Sequence, residues 1–118
     1  MWLVEYTDEF EEWWVTLSAD TRAAIHAAVE VLQERGPGCG RPLVDTITAS
    51  RHANMKELRP PVANVRVLFA FDPRRAAILL IGGDKTNRWQ EWYRTMIPVA
   101  DHLYDQHLDE LRREGLIS

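Results

Sequence analysis

Three cations stand out as candidates for chemistry: Lys56, Arg66 and Lys85, each within or just after a segment patterned like a strand. In Val65-Arg66-Val67-Leu68-Phe69-Ala70-Phe71, alternation sends Val65, Val67, Phe69 and Phe71 to one face and Arg66, Leu68 and Ala70 to the other. The aromatic and branched set belongs against helices, so Arg66 is expected on the opposite, solvent-accessible face. A guanidinium held there by a rigid strand can fork onto a phosphate. The plainer alternative is a surface arginine paired with a carboxylate of the neighbouring strand. Lys85 follows Gly82-Gly83, where glycine permits a sharp turn and close approach to a ligand. Arg51, His52, Lys56 and Arg59 cluster before and within the preceding strand, and an imidazole suits proton transfer at neutral pH better than an ammonium does. Lys56 shares its face with Leu58. Trp89 and Tyr93, one turn apart beside Lys85 and Arg88, are candidates for stacking on bases. Trp13, Trp14 and Trp92 fall at helical spacing and read as core.

Other chemistries lack their residues. Gly82-Gly83-Asp84-Lys85-Thr86 misses the first glycine of a P-loop. His26, His52, His102 and His107 have no zinc-ligand spacing, and no Gly-x-Ser-x-Gly elbow supports a serine nucleophile. No metal or cofactor is expected. Cys39 is a single cysteine and cannot form an internal disulfide, which suits a cytoplasmic address. No segment has the length or flanks of a signal peptide or a membrane helix.

The charge is uneven. The total is −4, yet residues 1–50 carry 3 basic and 9 acidic groups, residues 51–94 carry 9 and 4, and residues 95–118 carry 2 and 5. Local field governs what a cleft attracts, so the basic middle can serve an anionic ligand despite the acidic total. Solvated cations on one strand face are the competing reading.

Those residues need a frame. With 118 residues, 46% hydrophobic and 27% charged, the chain fits one globular domain over residues 1–118. Trp2–Tyr6 reads as a short strand. Thr7 or Asp8 caps a helix whose apolar face is Phe10, Trp13, Trp14 and Leu17. Ser18 caps a second helix over Ala19–Arg35, with Ile25, Ala28, Val29 and Leu32 as its stripe and Gly36-Pro37-Gly38 as its stop. A long connection over residues 36–53 precedes strands at Met55–Arg59, Val65–Phe71 and Ala76–Ile81. The last of these is nearly all apolar, as a central strand buried on both faces would be. A helical region from about Arg88 to Glu114 follows, which Pro98 must kink or split. The expected class is α+β: a small antiparallel-rich sheet of about four strands, two N-terminal helices on one face and a C-terminal helical region.

The order β-α-α-β-β-β-α, together with Lys56-Glu57-Leu58-Arg59, Val65 to Phe71 and Gly82-Gly83-Asp84-Lys85-Thr86, resembles the RelE/HigB toxins of type II toxin–antitoxin systems. The phage-derived HigB-like branch, with its Lys-Glu-Leu-Arg and Gly-Gly-Asp-Lys runs, is the nearest match. The resemblance spans nearly the whole chain. It implies a RelE-like fold and a ribosome-dependent mRNA endoribonuclease that inhibits translation and growth. It also implies a helix-turn-helix antitoxin encoded by a neighbouring gene, with operator DNA met only through that antitoxin. Arg66 matches the family's arginine on the third strand, and Lys85 the basic residue after the fourth. Lys56 matches a basic residue of the second strand, and Tyr93 an aromatic near the C-terminal end. His52 enters only from its local setting. On this reading Arg66 and Lys85 neutralise the phosphorane-like transition state, Lys56 or His52 moves a proton, and Tyr93 stacks on or orients the nucleotide. Arg51, Arg59, Arg88 and Trp89 are then RNA-binding candidates. The sequence departs from the family in being acidic overall and in its helical tail beyond Pro98. A non-catalytic RNA- or protein-binding module of the same fold is the alternative.

Overall fold

Thr7 and Ser18 open the first two helices in the same way. The Thr7 hydroxyl accepts the Phe10 amide at 3.0 Å, and the Ser18 hydroxyl accepts the Thr21 amide at 3.2 Å. Each satisfies a donor that a helix terminus leaves without a partner. The computed structural model describes residues 1–61, 63–84 and 89–118. In it β1 (Val4–Tyr6) leads into α1 (Asp8–Trp14) and α2 (Ala19–Arg35). Then come β2 (Val44–Thr46), β3 (Met55–Leu58), β4 (Val65–Phe71), β5 (Ala77–Asp84) and α3 (Trp89–Arg113). The bounds of α2 and β4 coincide with those expected from periodicity. Gly36 ends α2 at φ 62°, a backbone conformation that suits glycine.

The strands form one sheet in the order β1-β5-β4-β3-β2, with β1 parallel to β5 and every other pair antiparallel. The class is α+β, as expected, but the sheet has five strands where about four were expected. The addition is β2, within the segment read as a connection. Its three residues, Val44-Asp45-Thr46, are too few to display alternation.

The helices do not share one face. Val67, Phe69, Ala77 and Leu79 pack against Phe10 of α1 and Ala28 and Leu32 of α2. Leu68, Ala70, Ile78 and Leu80 pack against Ile97, Ala100, Leu103 and Tyr104 of α3. The sheet is therefore covered on both sides, and the Arg66 face, expected to be open, lies beneath α3. The cause is visible in β5: a strand apolar on both faces needs a cover on both. Pro98 does not split the last helix, which runs unbroken from Trp89 to Arg113. No helix among the described residues is long and apolar enough to cross a membrane.

Gly82 and Gly83 are not the turn they resemble. Both lie inside β5 and are buried. A side chain on Gly82 would overlap the Trp13 ring, and one on Gly83 the Trp92 indole. The pair lets α1 and α3 each press a tryptophan against the sheet from opposite sides. Gly82→Ala must displace a rigid ring and not a flexible tip. It is expected to destabilise by about 1–3 kcal/mol, as overpacking does, which urea unfolding would measure.

A second buried group ties α3 to the β4–β5 turn. The Asp72 carboxylate, fully buried, accepts the Arg74 guanidinium at 2.8 Å and the Ala76 amide at 3.2 Å, and meets His107 Nε2 at 2.9 Å. Burial pushes this carboxyl up, but the hydrogen bonds from His107, Arg74 and Ala76 outweigh it and hold the group below the ordinary carboxylate range. A carboxyl lowered by folding stabilises above its unfolded value, and the contribution is lost as pH falls through the folded value. Asp72→Asn is therefore expected to unfold more easily at neutral pH and to lose less stability below about pH 4 than the parent chain. Melting temperature against pH measures both effects.

Candidate active site

Strand alternation along β3 sends Met55 and Glu57 toward α3 and Lys56 and Leu58 toward the opposite face. Glu57 stands opposite Leu68 in the β3–β4 ladder and is only 3% exposed. Its Oε1 accepts the Tyr93 hydroxyl at 2.6 Å and lies 3.5 Å from Arg66 Nε. Its Oε2 accepts Arg59 Nη2 at 3.0 Å. Arg66 also donates from Nη1 to the Val65 carbonyl at 3.0 Å, and the Trp89 ring lies 4.9 Å from its guanidinium carbon. Outward along β2, Asp45 Oδ2 lies 3.6 Å from Arg59 Nη2, and Asp45 Oδ1 lies 3.2 Å from Arg41 Nε. The result is a line of alternating charge from Arg41 through Asp45, Arg59 and Glu57 to Arg66.

A carboxylate buried without partners would cost several kcal/mol. Here two guanidinium groups and a phenol offset that cost. The hydrogen bond to Glu57 raises Arg59 above its ordinary value despite partial burial. Burial, followed by the hydrogen bond and negative charge of Glu57, pushes the Tyr93 hydroxyl up, so Tyr93 keeps its proton at neutral pH. Two donors are left over. Among the described residues, Nε of Arg59 and Nε of Arg66 are buried without a hydrogen-bond acceptor, the latter within ion-pair reach of Glu57. A buried donor left without an acceptor costs about 1–3 kcal/mol, and native structures keep few of them. The cluster thus combines a carboxylate able to take a proton, a phenol able to give one, and two cations with unused donor capacity.

Of the residues singled out in the sequence, Arg59, Arg66, Trp89 and Tyr93 converge here. Lys56 does not. It projects to the other face of the sheet, where Nζ donates to Thr46 Oγ1 at 3.1 Å. His52 and Arg51 do not join the cluster either. His52 Nε2 meets Asp105 at 2.8 Å with its ring edge-on to Tyr104, while Arg51 pairs with Asp105 and Asp101. Asp105 lies twelve residues beyond Tyr93 in α3, roughly 18 Å along the helix at about 1.5 Å per residue. Two nearby acidic residues of α3 draw these basic groups to the far end of the sheet. Lys85 and Arg88 lie outside the described residues. Arg66 is half-buried beneath Trp89, because α3 begins over it.

Sequence reasoning missed Glu57, though it quoted the run containing it. The available signal was its shared face with Met55. A carboxylate beside residues of a buried face must be paired, and the cations on that face are Arg59 and Arg66. Assigning that face to solvent hid the argument.

Comparison with known proteins fits this frame. Residues 12–105 match the family model described as phage-derived protein Gp49-like. The chain is 48% identical over 93 residues to a Mycobacterium tuberculosis (strain ATCC 25618 / H37Rv) protein named as toxin HigB3, covering 79% of this chain and 82% of that one. It is 48% identical over 104 residues to one named as toxin HigB2 from the same organism, covering 86% of this chain but only 52% of that one. Among solved structures, the RelB–RelE antitoxin–toxin complex from Methanococcus jannaschii superposes with a TM-score of 0.57 at 12% identity. That alignment covers 75% of this chain and 98% of the other, a likeness of fold. On its sequence match across most of its length, together with its RelE-like sheet, this chain belongs to the phage-derived Gp49-like family and is a RelE/HigB-type toxin of a type II toxin–antitoxin system.

Proposed function

We propose that the toxin acts as an endoribonuclease on mRNA at the ribosome, and that the Glu57–Arg66–Tyr93 cluster is its catalytic centre. The observation that carries this reading is the Glu57 carboxylate held at 2.6 Å from a protonated phenol and 3.5 Å from a guanidinium with an unused donor. RNA supplies its own nucleophile. Glu57 takes the proton of the 2′-hydroxyl, and the 2′-oxygen forms its bond to the adjacent phosphorus. The bond from phosphorus to the 5′-oxygen breaks, and that oxygen receives the Tyr93 proton. Arg66 and Arg59 neutralise the charge that gathers on the phosphoryl oxygens, a task for which two fixed guanidinium groups suffice without a metal. Tyr93 must leave Glu57 as the substrate enters, which exchanges one hydrogen bond for another. Trp89, already against Arg66, offers a face to a base. Lys85, carried over from the resemblance, is assigned as a further cation, and Arg88 as a contact to the RNA backbone. Lys56, His52 and Arg51 are assigned no part in the chemical step.

An antitoxin encoded by a neighbouring gene holds the toxin inactive and carries any contact with operator DNA. Mapping of 5′ ends in cells that express the chain tests the reading. New ends inside translated messages are expected with the parent chain and with Lys56→Ala, and none with Arg66→Ala. Growth arrest without new ends would favour a binding module that occupies its target without cutting.

A further inference from the structure

Two carboxylates face each other in this sheet. In the β2–β3 ladder Asp45 stands directly opposite Glu57, so both side chains leave the sheet on the same face. Like charges at directly opposed positions destabilise an antiparallel pair. Arg59 reconciles them. Its backbone is fixed just past β3, where its amide donates to the Leu43 carbonyl at 2.8 Å. A single nitrogen, Nη2, then lies 3.0 Å from Glu57 Oε2 and 3.6 Å from Asp45 Oδ2. Asp45 is held in its turn: Oδ1 accepts the Thr46 amide at 2.9 Å and lies 3.2 Å from Arg41 Nε. The hydrogen bond from Arg41, then that from Thr46, holds the Asp45 carboxyl below its ordinary value, so it is an anion at neutral pH.

This arrangement bears on the moment of proton transfer. When Glu57 takes the 2′-hydroxyl proton, its charge is gone and the guanidinium groups beside it lose their common anion. Asp45 keeps an anion beside Arg59 before and after that transfer, and neither Asp45 nor Arg59 changes protonation. Before the transfer it shares the Arg59 charge, which leaves Glu57 readier to accept a proton than a carboxylate gripped by Arg59 alone. The charged and titratable groups facing Glu57 among the described residues are Asp45 from β2, Arg59 from the end of β3, Arg66 from β4 and Tyr93 from α3. Only Asp45 lies outside the groups assigned to the reaction.

We propose that Asp45 is a positioning residue for RNA cleavage: from β2 it holds Arg59 and shares its charge, which frees Glu57 to take a proton. The proposal rests on the reading of Glu57 as the general base. On this account the short β2 edge is part of the catalytic apparatus although it touches neither the RNA nor the reacting atoms.

The test is single-turnover cleavage of messages on stalled ribosomes, followed against pH and toxin concentration, for the full chain and its variants. Asp45→Asn keeps the shape and adds one net positive charge, so it should bind RNA at least as tightly as the parent. Its plateau rate is nevertheless expected to fall about three- to tenfold. The acid limb of its rate profile should move down by roughly half a unit to one pH unit, because Arg59 is left with Glu57 as its only carboxylate. Arg41→Ala should do the reverse: weaker binding, and an acid limb moved upward, because Asp45 then turns wholly to Arg59. Asp45→Glu, which keeps the charge, should return the acid limb to its parent position. An acid limb unmoved in Asp45→Asn, or moved in the same direction by Asp45→Asn and Arg41→Ala, would reduce Asp45 to a structural part of the β2 edge and overturn the proposal. Should Asp45→Asn fail to fold, Arg41→Ala decides alone: an upward shift supports the proposal and no shift overturns it. Parent-like cleavage by folded Glu57→Gln would bring down the general-base reading beneath it, whereas parent-like cleavage by Asp45→Asn beside an inactive Glu57→Gln removes only the role of Asp45.

Discussion

Glu57→Gln is expected to reduce RNA cleavage by about 10²–10⁴-fold, the range that a positioned general base contributes. Glutamine keeps the shape and can still accept the Tyr93 hydroxyl, but it cannot take a proton from the 2′-hydroxyl. The change also removes the charge between Arg59 and Arg66, so the folded variant should be compared with the parent at equal thermal occupancy. A spectroscopic readout separates loss of the base from loss of structure. The Glu57 charge contributes to pushing Tyr93 up, so in the folded variant Tyr93 should ionise at lower pH than in the parent. Ultraviolet titration of tyrosinate would detect that shift. Arg66→Lys, which keeps charge but loses the fork, should fall between the parent chain and Arg66→Ala in rate. Parent-like cleavage by a folded Glu57→Gln would remove Glu57 from the chemistry.

The largest expected effect on stability is at Phe69. The ring is fully buried in the middle of β4, in the same cluster as Phe10, Leu32, Val67 and Leu79, and edge-on to Phe71 at 5.7 Å. Phe69→Ala removes the ring and leaves a cavity that a β-strand flanked on both sides cannot close. A loss of about 3–5 kcal/mol is expected. Small domains have a total of about 5–15 kcal/mol, so the variant should be marginally folded at 37 °C. Chemical denaturation should show a lower midpoint with the slope unchanged. A midpoint equal to the parent's would mean that the ring is not in the core between the sheet and the N-terminal helices.

Much of this architecture was legible before any coordinates. The caps Thr7 and Ser18, the stripe Ile25-Ala28-Leu32 and the strict alternation of β4 are local signals, and each appears as written. The placement of Phe69 on a helix-covered face followed from alternation. What was not legible depended on which elements meet. Nothing in the periodicity of α3 says which face of the sheet it covers, and the choice of the wrong face made Arg66 an open cation and left Glu57 unread. The Gly82-Gly83 pair is read locally as a turn, because its real partners, Trp13 and Trp92, are distant in sequence and approach from opposite sides. His52 and Arg51 looked like neighbours of Lys56 and Arg59 in the chain. Asp101 and Asp105, fifty residues later, decide where they actually sit. Of the candidate site, the cations and aromatics were visible by type, and the buried carboxylate that gathers them was not.

Cleavage through the RNA's own 2′-hydroxyl leaves a chemical signature. The most direct measurement is the end chemistry of RNA cut by the purified chain on translating ribosomes, with the metal content of the protein determined beforehand and the reaction repeated with the chain pre-treated with chelator. The account predicts a 2′,3′-cyclic phosphate on the upstream fragment and a 5′-hydroxyl on the downstream one. The rate should be unaltered by the pre-treatment and lost in Arg66→Ala. A 3′-hydroxyl and a 5′-phosphate at the cut, or activity that the pre-treatment abolishes and a divalent cation restores, would contradict it.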